Sequence, residues 1–336
     1  MSPVETDMTA VAPLEPAAPV VDEAVRARRR MHVQELALPV VIVVLIAFGA
    51  IAGAATDRPF LTTNNLATIV TQASVVGIIA VGMTFVIATG GIDLSVGSML
   101  AAASVAGAVL LRDDAVPDTT AIFMLATIGF AVLLGLVNGL VVAYGRVVPF
   151  IATLAMLAIG RGLALRLSDR TDIPLLELTV LRQLGQRYVP AVIFIAVAAI
   201  GWVGLNLTRY GRHVVAVGGN REAARIAGIP TAAITASVFG LSGLCVGLAA
   251  IIQSARLGTA SPVSGSLLEL DAIAAVVIGG TSLAGGRATI TGTFLGVITF
   301  ALVFNLLTLL NLPIEYQHIV RGGIILAAVL IQRREG

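Results

Sequence analysis

Uncharged apolar stretches of about twenty residues succeed one another along almost the whole chain, and this limits the fold more than any other feature. Such runs start at Leu36, Leu66, Leu94, Thr119, Tyr188, Ile226 and Ala288. Three further stretches carry ionisable residues: Val147–Leu165 with Arg161, Leu268–Gly286 with Glu269 and Asp271, and Glu315–Ile331 with Arg321. Only helices and closed barrels satisfy their backbone inside lipid, and runs of this length are helical rather than strand-like. The expected fold is therefore an all-α polytopic membrane protein with about ten transmembrane helices. The glycine-rich stretches Thr89–Gly97 and Gly279–Gly286 mark helices that are broken or re-entrant. Charged residues make up 12% of the chain, against about a quarter in a soluble domain, so the deficit extends well beyond a single anchor.

Residues 1–30 differ from the rest of the chain. They hold four prolines and several acids without apolar periodicity, and read as a disordered cytoplasmic N-terminal tail ahead of a transmembrane domain at 31–336. No cleavage site comes after the first apolar run, so that run is expected to stay in the membrane. Every basic residue is arginine. Arg26, Arg28, Arg29 and Arg30 put the N-terminus in the cytoplasm, and ten spans return the C-terminus to the same side. Arg146, Arg209, Arg212, Arg221, Arg225 and Arg287 then also lie inside. The outer loops hold Asp57, Asp113, Asp114, Asp118, Asp169, Asp172 and Glu177, together with Arg166, Arg170, Arg182 and Arg187. Net charge is +2, too small to point to nucleic acid, and a lone Cys245 in an apolar run supports neither a disulfide nor a metal cluster. Each half of the chain carries a glycine-flanked acid in an apolar stretch, Gly90 to Asp93 and Asp271 to Gly280, a weak hint of an inverted repeat.

The longest cytoplasmic loop, 208–230, ends in a segment with both helix ends marked. Asn220 suits an N-cap, Glu222 suits the positive end of the helix dipole, Gly228 can close the helix in a left-handed conformation, and Pro230 stops continuation. Small residues at Ala223, Ala224 and Ala227 leave its surface flat. A two-turn helix is marginal alone in water, so its own protein or a partner must hold it.

Three stretches resemble the ribose-type permease family of ATP-binding-cassette (ABC) importers: Gly82–Ser98, Gly218–Pro230 and Glu269–Arg287. Asn138-Gly139 and Pro149–Leu154 are shorter echoes, and the similarity spans roughly 36–332. The resemblance implies a non-catalytic translocation subunit in the cytoplasmic (inner) membrane that pairs with a second permease copy, identical or paralogous. It implies ABC ATPase subunits that carry the ATP and Mg, and an extracytoplasmic sugar-binding protein as donor. It implies that Asn220, Arg221, Glu222, Ala223, Ala224, Arg225 and Gly228 form the segment docking on the ATPase. The chain has no lysine and hence no phosphate-binding loop of its own; no cofactor and no catalytic residue is expected on it. A sugar path calls for hydroxyl-matching groups, for which Gln72, Ser74, Thr84, Asn138, Thr153 and Gln253 are candidates, although each can equally bond to a neighbouring helix. Asp93, Arg161, Glu269, Asp271 and Arg321 are intramembrane charges, either ion pairs that switch between states, static pairs, or side chains snorkelling to the interface. Asp93 can also cap the apolar run immediately after it. The expected cargo is a monosaccharide. Another small polar solute (nucleoside, polyol or furanose signal molecule), the related branched-chain amino-acid permeases, and an ATPase-independent secondary transporter are the alternatives.

Overall fold

The computed structural model describes residues 20–55, 58–111 and 119–333, with side chains from 37 to 330. Residues 1–37 form one unit and 38–336 the other. Most of the expected tail lies outside the described residues, as do Asp57, Asp113, Asp114 and Asp118; within the stretch expected to be tail, helix begins at Val20.

Helices account for most of the described chain. They are α1 (Val20–Ala55), α2 (Thr63–Ala88), α3 (Val96–Leu110), α4 (Thr120–Ala143), α5 (Pro149–Leu167), α6 (Thr179–Leu184), α7 (Val189–Asn206), α8 (Arg209–Gly219) and α9 (Arg221–Ile226). The remainder are α10 (Thr231–Leu257), α11 (Leu268–Ile278), α12 (Ile290–Leu309) and α13 (Ile314–Arg333). Seven of these are long and apolar enough to cross a membrane: α1 from Ala37, α2, α4, α5, α7, α10 and α12. The other three expected spans differ in kind. α13 is long but carries Glu315 and Arg321, α3 is short, and α11 is shorter still. At 1.5 Å per residue α11 rises roughly 16 Å, about half of a ~30 Å hydrocarbon core. The stretch Leu268–Gly286 is therefore a half-helix ending at Ile278, not a full span.

Side-chain hydroxyls cap the starts of several helices. Thr62, Thr119, Thr208 and Thr289 each accept a backbone N–H from the first turn of α2, α4, α8 and α12. α2 and α10 form the buried centre, and their small residues let neighbours approach closely. Gly135 and Gly139 of α4 sit against the α10 backbone at Gly243 and Ala236. Cys245 is buried beside Gly82, in the packing role a small residue takes there.

The packing repeats itself between the two halves. α3 packs against α4, α5 and α10, while α11 packs against α12, α13 and α2; α4 leans on α10, and α12 leans on α2. Exchanging α2–α5 with α10–α13 reproduces the pattern, as an inverted repeat requires. The sequence match between the halves is not the acid pair Asp93 and Asp271. It is Gly97-Ser98-Met99-Leu100 with Gly265-Ser266-Leu267-Leu268, and Arg161-Gly162 with Arg321-Gly322. Gly97 and Gly265 meet: a Cβ on either would overlap the carbonyl oxygen of the other. This reciprocal contact joins the beginnings of α3 and α11, and only glycine permits it at both positions.

At one end, β1 (Ile173–Pro174) and β2 (Thr259–Ala260) form a two-residue antiparallel ladder beside α6. α8 and α9 lie at the other end.

Candidate functional site: two half-helices and a helical linker

The charged residues expected within spans divide into two groups. Asp93 is fully buried in the non-helical segment between α2 and α3. Its carboxylate accepts from the Ser95 backbone N–H at 3.0 Å, the Ser95 hydroxyl at 2.6 Å and the Ser242 hydroxyl of α10 at 3.1 Å. Asn138 of α4 donates to the Ser95 oxygen at 2.9 Å. Asp93 thus organises the turn before α3 and ties it to α4 and α10. It caps the turn two residues ahead of Ser95, which is the residue at the N-cap position of α3.

The other four charges gather around the start of α11. Arg321 of α13 and Asp271 are 2.7 Å apart, with the N–H not aimed along the contact, so charge rather than an aligned hydrogen bond holds them. Arg321 also lies over the Phe304 ring, 5.0 Å from its centre. Arg161 of α5 donates to the carbonyl oxygens of Pro262 and Ser264, the latter at 3.0 Å. Glu269 sits between the two arginines and feels both charges. Arg321 turns inward onto a carboxylate, whereas Arg161 lies half-buried along the segment before α11 and donates to its backbone. Leu267, at the N-cap position just before α11, has φ 67°, an unusual conformation for a bulky residue.

The hydroxyl and amide candidates do not assemble into a path within the chain. Ser74 and Thr84 bond back to their own helix, and Thr84 also bonds to Thr293 of α12 at 2.8 Å. Thr153 donates to the Ile92 carbonyl, and Asn138 belongs to the Asp93 cluster. These four are buried helix-to-helix or back-bonded groups, because a polar side chain in the interior finds the nearest backbone or hydroxyl partner. Gln72 is exposed on α2 and Gln253 half-buried on α10.

The linker between α7 and α10 consists of two helices, α8 and α9, broken at Asn220. The short helix over Asn220–Gly228 is present as α9: the Asn220 side chain accepts from the Ala223 N–H at 2.9 Å, and Gly228 has φ 81°. The Gly228 N–H donates to the Arg225 carbonyl and the Ile229 N–H to the Ala224 carbonyl, which closes the helix. Arg225 donates to both carboxylate oxygens of Glu222 and holds that carboxyl below its ordinary value. Arg221, Ala223, Ile226 and Ala227 are exposed. Ala224 is not: at 5% exposure it packs into the chain's own core, so it cannot face a partner's groove. The sequence reading missed α8, although Thr208 as cap and inward Val214 and Val217 three residues apart could have shown it. α8 lays Gly218 against the Ala88 carbonyl and Gly286, and the Gly286 N–H donates to Ala88 at 3.0 Å. Through these contacts α9 connects, by way of α8, to the end of α2 and to the loop after α11.

Many helices long enough to cross a membrane, a short helix α3 meeting the half-helix α11 head to head and charges held at depth define a polytopic membrane transport protein. The family described as "Branched-chain amino acid transport system / permease component" matches residues 65–329. The chain is 43% identical over 292 residues to the ribose import permease protein of Bacillus subtilis (strain 168), covering 82% of this chain and 87% of that protein. It is 41% identical over 288 residues to the ribose import permease protein of Escherichia coli (strain K12), covering 82% and 88%. It is 36% identical over 294 residues to the D-allose transport system permease protein of the same strain, covering 86% and 90%. No solved structure matches. The chain belongs to the ribose-type permease family of ABC importers.

Proposed function

We propose that this chain is the translocation subunit through which a monosaccharide, ribose or a close relative, enters across the cytoplasmic membrane. An extracytoplasmic binding protein delivers the sugar, and separate ABC ATPase subunits hold the ATP and Mg and drive the step. A second permease copy, identical or paralogous, completes the unit. The observation that carries the reading is the identity of more than 40% to two ribose import permeases along four-fifths of the chain. Both termini, α8 and α9 face the cytoplasm in this reading, in keeping with the arginine distribution.

In this reading α9 is where the ATPase pushes. Its exposed face, Arg221, Glu222, Ala223, Arg225, Ile226 and Ala227, docks, and Ala224 anchors it to the permease. Closure of the ATPase dimer on ATP moves α9, α8 passes the motion to the end of α2 and the loop after α11, and the half-helices shift between two global states. Selectivity resides in the binding protein, since a permease that held its sugar tightly would release it slowly.

The test is uptake of labelled ribose into proteoliposomes containing this chain, its neighbouring ATPase and the binding protein. ATP-dependent uptake that requires all three components supports the proposal. Uptake without the ATPase identifies a secondary transporter. A binding protein that takes a nucleoside, a polyol or a branched-chain amino acid instead reassigns the cargo.

A further inference from the structure

The segment 261–267, which leads into α11, is non-helical and lies deep. Gly265 packs against Gly97, and Ser98 next to it packs against Gly160 of α5. Gly160 is about 17 Å from the start of α5 and about 10 Å from its end, so this contact lies within the thickness of the hydrocarbon layer. Yet part of the segment is on the surface of the chain. Val263 is 63% exposed, Ser266 is exposed, and Ser264, Gly265, Leu267 and Glu269 are half-buried. Arg161 reaches across the same surface with one guanidinium nitrogen 3.4 Å from the Ser266 hydroxyl.

Lipid is a poor neighbour for this surface. Irregular backbone, an exposed hydroxyl and two half-buried charges are tolerated at such depth only where protein covers them or water reaches them. The backbone N–H groups of Val263 and Ser266 donate to no acceptor among the described residues. On α7 the exposed residues at comparable depth, Ile195 and Ile200, are apolar. The set is also chemically suited to a polyhydroxylated solute: a guanidinium that donates, a carboxylate that accepts, and a hydroxyl that does both.

We propose that the face formed by segment 261–267, Arg161 and Glu269 lines the water-filled path along which a hydroxyl-rich solute passes this chain. This deepens the transport reading and rests on it for the identity of the solute. The path runs along the start of a half-helix whose position depends on the Gly97–Gly265 contact and on the Asp271–Arg321 pair. Small shifts of α11 therefore open or close it. The inward-turned hydroxyls of Thr84 and Thr153 take no part.

Thiol labelling tests the assignment. Ser266→Cys and Val263→Cys are placed in a Cys245→Ala background, with Ile195→Cys on the apolar face of α7 as the comparison. Full-length protein is kept in membrane vesicles exposed on both sides to a charged methanethiosulfonate. The thiolate reacts and forms only where water reaches, so Ser266→Cys and Val263→Cys should react at least about tenfold faster than Ile195→Cys. Modified Ser266→Cys protein should also lose uptake, while modified Ile195→Cys protein should keep it. If both face positions react with an apolar maleimide but not with the charged reagent, the face is against lipid and the proposal fails. If they react with neither, protein covers the face and the proposal also fails. Ribose uptake by the Cys245→Ala parent is measured in parallel. Lack of uptake there with fast labelling removes the transport reading and leaves the aqueous face standing.

Discussion

Replacing Asp271 with Asn should destabilise the protein strongly, and replacing its partner as well should recover much of the loss. Asp271 and Arg321 are 2.7 Å apart, and their side chains are 8% and 16% exposed. At an effective dielectric of about 20 the attraction at that distance is roughly 6 kcal/mol. Desolvation opposes it by several kcal/mol per ion, so the pair has little net value over two apolar residues. Removing one partner is different, because it leaves the other charge buried alone, at about 3–5 kcal/mol. The Phe304 ring under Arg321 remains and offsets ~0.5–2 kcal/mol of that. The expected loss for Asp271→Asn is thus about 2–4 kcal/mol. The Asp271→Leu, Arg321→Met double variant should lie within about 1–2 kcal/mol of the parent. Unfolding of purified protein in bilayer nanodiscs, run as a double-mutant cycle, measures this. Additive single effects, or an Asp271→Asn variant as stable as the parent, would refute the claim that this pair holds α11 against α13.

Contacts elsewhere in the fold set further outcomes. Gly97→Ala places a methyl on the Gly265 carbonyl and 2.5 Å from a Glu269 oxygen; overpacking of this kind should cost about 1–3 kcal/mol and lower uptake, with nanodisc unfolding and uptake as readouts. Asp93→Ala strips the Ser95 and Ser242 hydroxyls of their acceptor, so a loss of about 1–3 kcal/mol per stranded group is expected, while Asp93→Asn, which keeps an acceptor oxygen, should lose less. Ala223→Glu and Gly228→Val act on the exposed side and the left-handed end of α9: normal membrane amounts with loss of ATPase co-purification and of uptake are expected, and wild-type behaviour of both would move coupling elsewhere. Ala224→Glu should instead reduce the amount of folded protein, because Ala224 is buried in the permease itself.

The linear order of apolar runs, caps and glycines was sufficient to read an all-helical membrane protein, its broken segments and the capped helix at Asn220–Gly228. Those features depend on neighbours within a few positions: a twenty-residue apolar run must span, an Asn before a turn of helix caps it, a Gly before Pro closes it. Motif resemblance added the family. Local sequence did not reveal which polar groups meet. Thr84, Asn138 and Thr153 read as path candidates, yet each is consumed by a partner tens to hundreds of residues away, or by its own helix. Ala224 read like Ala223 and Ala227, but burial depends on which side of a six-residue helix rests on the core. The two arginines looked free to snorkel, because nothing in the runs around Arg161 and Arg321 shows that a re-entrant segment will come to lie beside them. That segment is placed by the inverted packing of the two halves, and in particular by Gly97 against Gly265, residues far apart in the chain. Sequence set which pieces can lie in a membrane; the tertiary fold decided which charges pair, which hydroxyls are used up and which polar groups stay exposed, since each of those depends on a contact between distant segments.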